Sequence, residues 1–384
     1  MNSLIDQLAK RGIFNGRAGS VVAGKRLFGI PVAIIAGQAT SVGGRIATLS
    51  GAKVISLGTR CGSLVTKWKS HKKILRFAMV WNHCFTDRRK GFVAYSAASR
   101  VLVDNPMARS GLGFMFDECW QAFAHTLDSI RDHRETENVA KTGWRRYHKT
   151  DQGLFEYHSS RSEMSRRMAE AMICFNSTVS VQSQASFLVK NYPWNTGTKV
   201  VDVGGAQGHV SIEPAQTYPN LKVVPQDLPD VVEGIEKTLP NNIKDRIETI
   251  AHDFFSDQIV QADAYLFSQI FHDWPEAHCI KILRALIPQL KPGARVICYN
   301  HLLPEPGTIP LLEEQAARSN GSTWGVDMIM LSLFNSRERD ADDWVTLFQA
   351  ADPRFGKPKA WIPERSNLGI IEAVWEGGSK GAQE

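Results

Sequence analysis

A histidine that follows an apolar strand is the residue of this 384-residue chain most suited to chemistry. His272 stands between the apolar stretch AYLF and a helical pattern, so we expect its imidazole at the ligand-binding edge of a sheet. An imidazole of ordinary pKa, about 6.5, is neutral near neutral pH and can take a proton from a hydroxyl. A phenol, with a pKa near ~10, needs such a base to become the phenolate that attacks a methyl group. The alternative is that His272 only caps the following helix or packs beside Trp274.

A glycine-rich turn is the second feature, within KVVDVGGAQGHVSIEPAQTYPNLKVVPQDLPDVV, residues 199–232. An apolar strand runs into Gly204, Gly205 and Gly208, where the backbone can approach a ligand and a helix N-terminus offers free N–H groups. Asp227, about twenty residues further along at the tip of the next strand, is placed to accept both hydroxyls of a ribose. The order of strand, turn, helix, strand and acid predicts a nucleoside-cofactor site.

The residues inside this turn favour one cofactor class. The dinucleotide pattern requires a third glycine to admit a pyrophosphate, and the chain has Asp202 in the strand and Ala206-Gln207 in the turn instead. A carboxylate at Asp202 would repel phosphates but suits the ammonium of an amino acid. We therefore predict S-adenosylmethionine rather than a nicotinamide dinucleotide.

The elements that must position these residues follow Asn195, where strands and helices alternate as in a doubly wound α/β sheet. A helix is predicted from Glu276 to Leu290, ending at Lys291-Pro292-Gly293. Ligands bind at the carboxyl ends of such strands, so the turn and His272 should face one edge. The predicted strands are 199–203, 221–225, 247–251, 263–268 and 294–300.

The first half of the chain has a different character. Residues 1–72 are rich in Gly and Ser without a sustained period, which predicts an irregular segment. From residue 73 to 194 the pattern is helical, and residues 195–384 form the cofactor-binding domain. We expect the helical stripes to be core, although the last could line a pocket instead. The stripes are Ile74, Phe77, Ala78 and Trp81; Phe114, Phe116, Cys119, Trp120, Phe123 and Leu127; Met164, Met168, Met172 and Phe175.

Composition excludes several classes. The 45 Lys and Arg against 39 Asp and Glu give a net charge of +6 that is spread along the chain, so no nucleic-acid surface is expected. The six cysteines are far apart without a Cys-x-x-Cys pair, which predicts neither a zinc site nor disulfides. No apolar segment reaches the ~18–20 residues that span a bilayer. We expect a cytoplasmic protein that binds no metal and no membrane.

From about Lys73 to Glu376 the chain resembles the S-adenosylmethionine-dependent O-methyltransferases that include plant caffeic acid methyltransferases, and more closely their fungal secondary-metabolite branch. The resemblance implies a Rossmann-like seven-stranded sheet, a helical, winged-helix-like dimerisation region and hence a homodimer. The matching stretches are KKILRFAMVWNHCF, DVGGAQGHVSI, VVPQDLPDVV, AHDFF, FHDWPEAHCIKILRALIPQLKPGARVI, LLPEPG and FNSRERDADDWVTLFQAADPRF.

The resemblance also implies residue roles. His272 would be the general base, and Glu338 would orient it, although by itself Glu338 is a solvated charge in the run 337–343. The implied cofactor-binding residues are Asp202, Gly204, Gly205, Gly208, Asp227, Leu228, Asp253, Phe254 and Ser268. The implied acceptor-pocket residues are Met168, Met172, Phe175, Met330 and Asn335, with core packing as the alternative.

The chain departs from the family pattern at three places. Asn300, ahead of the LLP motif, stands where the family commonly has an acid as second partner of the histidine, and an amide cannot stabilise imidazolium by charge. Ser268 replaces a basic residue four positions before His272. Residues 14–72 do not resemble the helices that usually begin the dimerisation region.

The sequence thus predicts an O-methyltransferase that acts on a phenolic hydroxyl of a small aromatic or polyketide metabolite. Two alternatives remain open at this stage: a catalytically silent binding protein of the same fold, and a nicotinamide-dependent oxidoreductase.

Overall fold

The computed structural model describes residues 54–56, 85–86, 92–95, 97–133, 138–175, 185–194, 199–206, 208–235, 239–305, 323–364 and 366–377. Nearly all of the segment predicted to be irregular, and the first apolar stripe, lie outside them. The described residues up to Gln121 and from Tyr157 to Phe175 form one compact unit, and those from Ala122 to Glu156 and from Ala185 onward form another. The domain limits expected near residues 72 and 194 stay a prediction.

The helices of the described residues are short and follow one another along most of the chain. A π-helical segment, Met115–Cys119, lies between the second and third of them, and 3-10 turns occur at Lys244–Arg246, Phe271–Asp273 and Ile287–Gln289. The α-helices are α1 (Ala97–Asp104), α2 (Pro106–Phe114), α3 (Trp120–His133), α4 (Gly143–His148), α5 (Leu154–Ser159), α6 (Ser162–Cys174), α7 (Ala185–Asn191), α8 (His209–Thr217), α9 (Pro229–Val232), α10 (Glu276–Leu286), α11 (Thr323–Phe334) and α12 (Ala341–Ala351).

The first unit combines a small sheet with packed helices. Its antiparallel strands β1 (Val54–Ser56), β2 (Phe85–Thr86) and β3 (Phe92–Tyr95) pair in the order β1-β3-β2. Helix α2 begins where the Asn105 side chain accepts the Ala108 N–H at 3.1 Å, and it is joined to α6 by a 2.5 Å hydrogen bond from Ser110 to Glu170. The Asn105 cap fixes the start of α2, and the hydrogen bond from Ser110 to Glu170 joins α2 to α6.

The second unit is built on a seven-stranded mixed sheet in the order β6-β5-β4-β7-β8-β10-β9. The first five strands in that order are parallel, whereas β10 runs antiparallel to both β8 and β9. The predicted fold class, an α/β protein with a seven-stranded sheet, is confirmed, and the antiparallel strand β10 makes the sheet mixed at one edge. The strands are β4 (Lys199–Val203), β5 (Lys222–Asp227), β6 (Ile250–Ala251), β7 (Ala264–Ser268), β8 (Arg295–Asn300), β9 (Lys359–Trp361) and β10 (Gly369–Val374).

Both faces of this sheet are covered, as the apolar sequences of its strands require. Alternate residues of β4 enter opposite cores: Val201 packs in the core that includes α10 and α12, and Val200 packs in the one that includes α7 and α8. Asp202 shares the parity of Val200. The covered faces leave the carboxyl ends of the parallel strands as the edge where β4, β5 and β7 present their loops.

Three expectations need correction. The strand expected at 247–251 is only Ile250–Ala251, with Ile247 in an isolated bridge to Val223, and the helix expected to reach Leu290 changes to a 3-10 turn after Leu286. The second apolar stripe is not all core, since Phe123 is 39% and Leu127 67% exposed. On α3 the apolar side chains therefore extend round to the open face of the helix.

Within the described ranges, no helix combines the length and the apolar character needed to cross a bilayer.

Gly143 marks a close approach of α4 to α3 and generates a stability prediction. A Cβ there would overlap the Ala122 carbonyl oxygen and lie 2.7 Å from Thr126 Oγ1. We expect Gly143→Ala to lower the free energy of unfolding by about 1–3 kcal/mol, because the backbone of α3 must move. Urea unfolding followed by circular dichroism measures this, with Gly325→Ala, whose Cβ meets nothing within 4 Å, as the matched control. Equal midpoints for the two variants would contradict the close packing.

Candidate active site

His272 lies just beyond the carboxyl end of β7. The strand ends at Ser268, Gln269 takes a left-handed φ of 55°, and the 3-10 turn Phe271–Asp273 carries the imidazole before α10 begins. The Gln269 N–H donates to the Tyr299 carbonyl of β8 at 2.9 Å, which ties the turn to the neighbouring strand. His272 is only 9% exposed, so its ring titrates in a nearly desolvated environment.

Two carboxylates flank the ring of His272. Its Nδ1 is 2.8 Å from Oε1 of Glu338, and its Nε2 is 3.6 Å from Oδ1 of Asp273. Nδ1 donates to the Glu338 carboxylate, so in the neutral ring Nε2 carries the lone pair. The contact between His272 and Glu338 that the resemblance implied is therefore present.

The carboxylates decide the protonation of His272. Burial alone lowers the pKa of His272, but the charges of Glu338 and Asp273 outweigh it and raise the pKa to about 9. Burial raises the pKa of Asp273 to about 6, against the attraction of His272 and with the repulsion of Glu338. The expectation that His272 is neutral near neutral pH is therefore wrong, because the sequence does not show how close Glu338 comes.

The position of Glu338 is fixed by a hydrogen bond from its own backbone N–H. Its N–H donates to Oδ1 of Asp327 on α11 at 2.7 Å, and its side chain is almost fully buried. Two residues later Asp340 and Asp343 form a capping box that begins α12. The segment between α11 and α12 is thus fixed at both ends.

Arg339 is a contributor that the sequence analysis missed. Its guanidinium is 1% exposed, and it donates to the Phe271 carbonyl at 2.9 Å and to Glu276 at 3.0 Å. Glu338 therefore contacts the imidazole of His272, while the adjacent Arg339 contacts the main chain of the same 3-10 turn. The signal was the second arginine of SRER, adjacent to the predicted carboxylate.

His301 is a second imidazole close to the first. Its ring lies 6.3 Å from that of His272 at an interplanar angle of 26°. Burial lowers the pKa of His301 to about 4, with Glu338 opposing and the charge of His272 reinforcing the effect. At neutral pH the ring of His272 is therefore protonated and positively charged, whereas the ring of His301 is neutral.

Asn300 does not have its implied contact. Its side chain is 1% exposed, and neither its amide nitrogen nor its oxygen has a hydrogen-bond partner in the described part of the chain. Asn300 therefore makes no hydrogen bond to His272. Nor can it form an ion pair with the imidazolium, because an amide carries no charge.

The glycine turn and Asp227 are brought together at the same sheet edge. Gly204 and Gly208 have left-handed φ values of 71° and 75°, and a Cβ on Gly204 would lie 2.6 Å from Cδ1 of Ile270. The Asp227 carboxylate accepts the N–H groups of Ala206 at 2.9 Å and Leu228 at 2.8 Å. Burial raises the pKa of Asp227, and these two N–H groups oppose the rise.

Asp202 lies beneath this turn and is fully buried. A Cβ on Gly205 would stand 2.7 Å from its Oδ2, so only glycine fits above the carboxylate. Ser268, at the end of β7, is half-buried. The turn therefore presents backbone atoms over an acidic floor, which fits the amino-acid end of S-adenosylmethionine better than a pyrophosphate.

The residues expected near an adenine lie beside the turn. Phe254 is half-buried, and its ring meets that of Trp274 edge-on at 6.0 Å; its Cε1 is 3.6 Å from where a Gly204 Cβ would stand. Leu228 is 52% exposed and Asp253 is exposed. An apolar ring wall next to a carboxylate suits a nucleoside, so the residues present fit the predicted cofactor.

The five residues predicted for the acceptor pocket lie in different units, two in the second and three in the first. Met330 on α11 is 7% exposed, and the Asn335 amide donates to the carbonyls of Asn138 at 2.9 Å and Lys141 at 3.2 Å, so it anchors a loop. The other three, Met168, Met172 and Phe175, lie on or next to α6 in the first unit, and their pocket role stays a prediction. The described residues contain no group of three or more His, Cys, Asp or Glu that could hold a metal.

Comparisons with known proteins give one consistent result. The model of the O-methyltransferase domain family matches residues 123–352. A grayanic acid biosynthesis cluster O-methyltransferase from Cladonia grayi is 44% identical over 79% of this chain and 63% of its own length. A chlorophenol O-methyltransferase from Trichoderma longibrachiatum is 33% identical over 79% of this chain and 65% of its own. The chain thus spans less than two thirds of either relative.

A solved structure gives the same fold. Human N-acetylserotonin methyltransferase in complex with S-adenosylmethionine is 18% identical, covers 94% of this chain and 99% of its own, and superposes with a TM-score of 0.66. At this identity the similarity concerns the fold alone.

The charged pair generates a titration prediction. We expect the His272 imidazole to titrate near pH 9, and the change Glu338→Gln to bring its pKa down toward or below about 6.5, because burial then dominates. Histidine NMR titration, assigned with His272→Gln, measures both values; Asp342→Asn, an exposed acid on α12, should leave the titration near pH 9.

The same shift has a consequence for stability. Since the folded pKa lies above the unfolded one, Glu338 stabilises the fold fully below about pH 6.5, and this contribution is lost as pH rises through 9. A His272 titration midpoint near pH 6.5 in the wild type would contradict the charge coupling. The same midpoint in the wild type and in Glu338→Gln would also contradict it.

Proposed function

Since the chain belongs to the family of O-methyltransferase domains, we propose that it transfers the methyl group of S-adenosylmethionine to a hydroxyl oxygen of a small aromatic or polyketide metabolite. The acceptor hydroxyl is phenolic in this proposal. The observation that carries it is the buried pair of His272 and Glu338, next to the strand-end edge that holds the glycine turn and Asp227.

The cofactor would be held by groups already described. Asp227 would accept the ribose hydroxyls, the backbone from Gly204 to Ala206 would approach the methionine end, and Asp253 and Phe254 would flank the adenine. Bound there, S-adenosylmethionine would supply a methyl group on a sulfonium; the acceptor oxygen would take the methyl as the S–CH3 bond breaks, and S-adenosylhomocysteine would leave. Asp202 beneath the turn supports this assignment, because the cofactor brings an ammonium rather than phosphates.

His272 would remove the proton of the acceptor. Its Nε2 takes the proton while Nδ1 keeps its hydrogen bond to Glu338, which stabilises the imidazolium that forms. A base with a pKa of about 9 is nearly matched to a phenol of pKa ~10, so the transfer is uphill by only ~1.4 kcal/mol, against ~5 kcal/mol for an ordinary imidazole. Glu338 thus raises the basicity of the ring at the cost of a smaller neutral fraction at pH 7.

The names of the relatives support the acceptor class. One acts in a grayanic acid cluster and another is named for chlorophenol. We also propose that its helical part pairs two copies, as the resemblance implies, and that the protein acts in the cytoplasm. Met330 is proposed to contact the acceptor.

A pair of variants tests base and cofactor roles separately. We expect His272→Ala to keep its affinity for S-adenosylhomocysteine and to lose roughly 100- to 10,000-fold in turnover of phenols with a pKa near 10. The loss should be much smaller for acidic phenols that are already ionised at neutral pH, since they need no base. Isothermal calorimetry and labelled-methyl transfer measure the two effects, with His125→Ala as the control.

Asp227→Ala should give the opposite result. We expect affinity for S-adenosylhomocysteine to fall roughly 10- to 100-fold, because charge-assisted hydrogen bonds to the ribose are lost. Asp230→Ala, an exposed acid three residues later, is the control. Equal losses of affinity in the His272 and Asp227 variants would argue against a base role for His272.

A second candidate function is a catalytically silent binding protein of the same fold. The Asn300 amide, which has no hydrogen-bond partner among the described residues, favours it, because the family pattern commonly has an acid at this position and an amide cannot stabilise imidazolium by charge. Tight binding of S-adenosylhomocysteine without methyl transfer to any phenol in a metabolite extract would support this candidate over the first.

A further inference from the structure

We propose that a cavity between α3 and α4 binds a small oxyanion, a phosphate or a carboxylate. The cavity measures about 270 Å³, and its wall carries the basic side chains of Lys141, Arg145, Arg146 and Lys149. All its lining residues belong to the second unit, and neither His272 nor Asp227 is among them. The proposal is independent of methyl transfer.

Arg145 is the observation that carries it. Its side chain is 9% exposed, its Nε has no hydrogen-bond partner, and among the described residues no carboxylate, carbonyl or aromatic ring pairs with its guanidinium. Arginine is almost never buried without a counter-charge, because desolvation of the guanidinium is costly. A buried, uncompensated guanidinium in the wall of a cavity therefore indicates that an anion belongs there.

The other charges of the wall leave this positive charge uncompensated. Arg146 is paired with Asp132, which neutralises it. Lys141 and Lys149 are exposed at the rim with one acid, Asp151, among the lining residues. After these pairings the wall retains an excess of positive charge, so an anion is attracted and a cation is repelled.

The geometry of the donor favours an oxyanion over a halide. A guanidinium presents parallel N–H groups that match two oxygens of a carboxylate or phosphate. The Thr150 hydroxyl, which accepts the Gln152 N–H at 3.2 Å, still has its own proton to donate. The cavity volume exceeds that of a single phosphate, so a small phosphorylated or carboxylated molecule fits.

Thermal unfolding of the full chain tests the proposal. At constant ionic strength, phosphate or a carboxylate such as acetate at about 20 mM should raise the wild-type Tm by roughly 2 °C or more, whereas chloride should not. The oxyanion with the larger effect identifies the ligand class. Phosphorus NMR line broadening gives the Kd of phosphate directly.

Two variants at one position make the result specific. Arg145→Met should weaken phosphate roughly tenfold or more, and without an oxyanion it should melt at the wild-type temperature or above, because an uncompensated buried charge is removed. Arg145→Lys keeps the charge without the fork and should be intermediate. Arg131→Met, which removes an exposed arginine of α3 outside the cavity, should bind phosphate as the wild type does.

Three results would overturn the proposal. One is a wild-type Tm that does not respond to either oxyanion, and another is an equal response in Arg131→Met and Arg145→Met, which would show charge screening. The third is an Arg145→Met protein that melts well below the wild type without an oxyanion and still binds phosphate as tightly as the wild type does, which would assign the guanidinium a packing role.

Discussion

The ion pair between His272 and Glu338 is the interaction on which the rest of the site depends. It forms where both side chains are almost out of water, so each charge needs the other. Burial on its own would make His272 a weaker base than a free imidazole, and the carboxylate reverses the direction of the shift. The raised pKa of His272 therefore depends on Glu338 staying 2.8 Å from its Nδ1.

Contacts of the neighbouring residues hold Glu338 at that distance. Asp327 accepts a hydrogen bond from the backbone N–H of Glu338. The neighbouring residues Glu338 and Arg339 both bind the 3-10 turn through their side chains: Glu338 contacts the imidazole, and Arg339 contacts the main-chain carbonyl of Phe271. The capping box begins α12 with Asp340, the residue directly after Arg339. The nearby ring of His301 remains uncharged, so it adds no second cation beside His272.

The parallel strands impose the second constraint. Because β4, β5 and β7 run in the same direction, the glycine turn and Asp227 meet at one edge although about twenty residues separate them in the sequence, and His272 leaves β7 at that same edge. The family match confirms the predicted resemblance to O-methyltransferases. The basic cavity around Arg145 lies among other elements of the same unit and involves none of these groups.

The sequence alone determined features that depend on residues close along the chain: four strands in the parallel part of the sheet, the glycine turn, and the positions of His272 and Asp227 at strand ends. It also indicated the O-methyltransferase family through its motifs. Only the tertiary structure decided the charge of His272, the burial of Arg339 and, within the described part of the chain, the lack of partners for the Asn300 amide and the Arg145 guanidinium. Each of these depends on distances between groups remote in sequence and on the exclusion of water, which no local pattern of residue types contains.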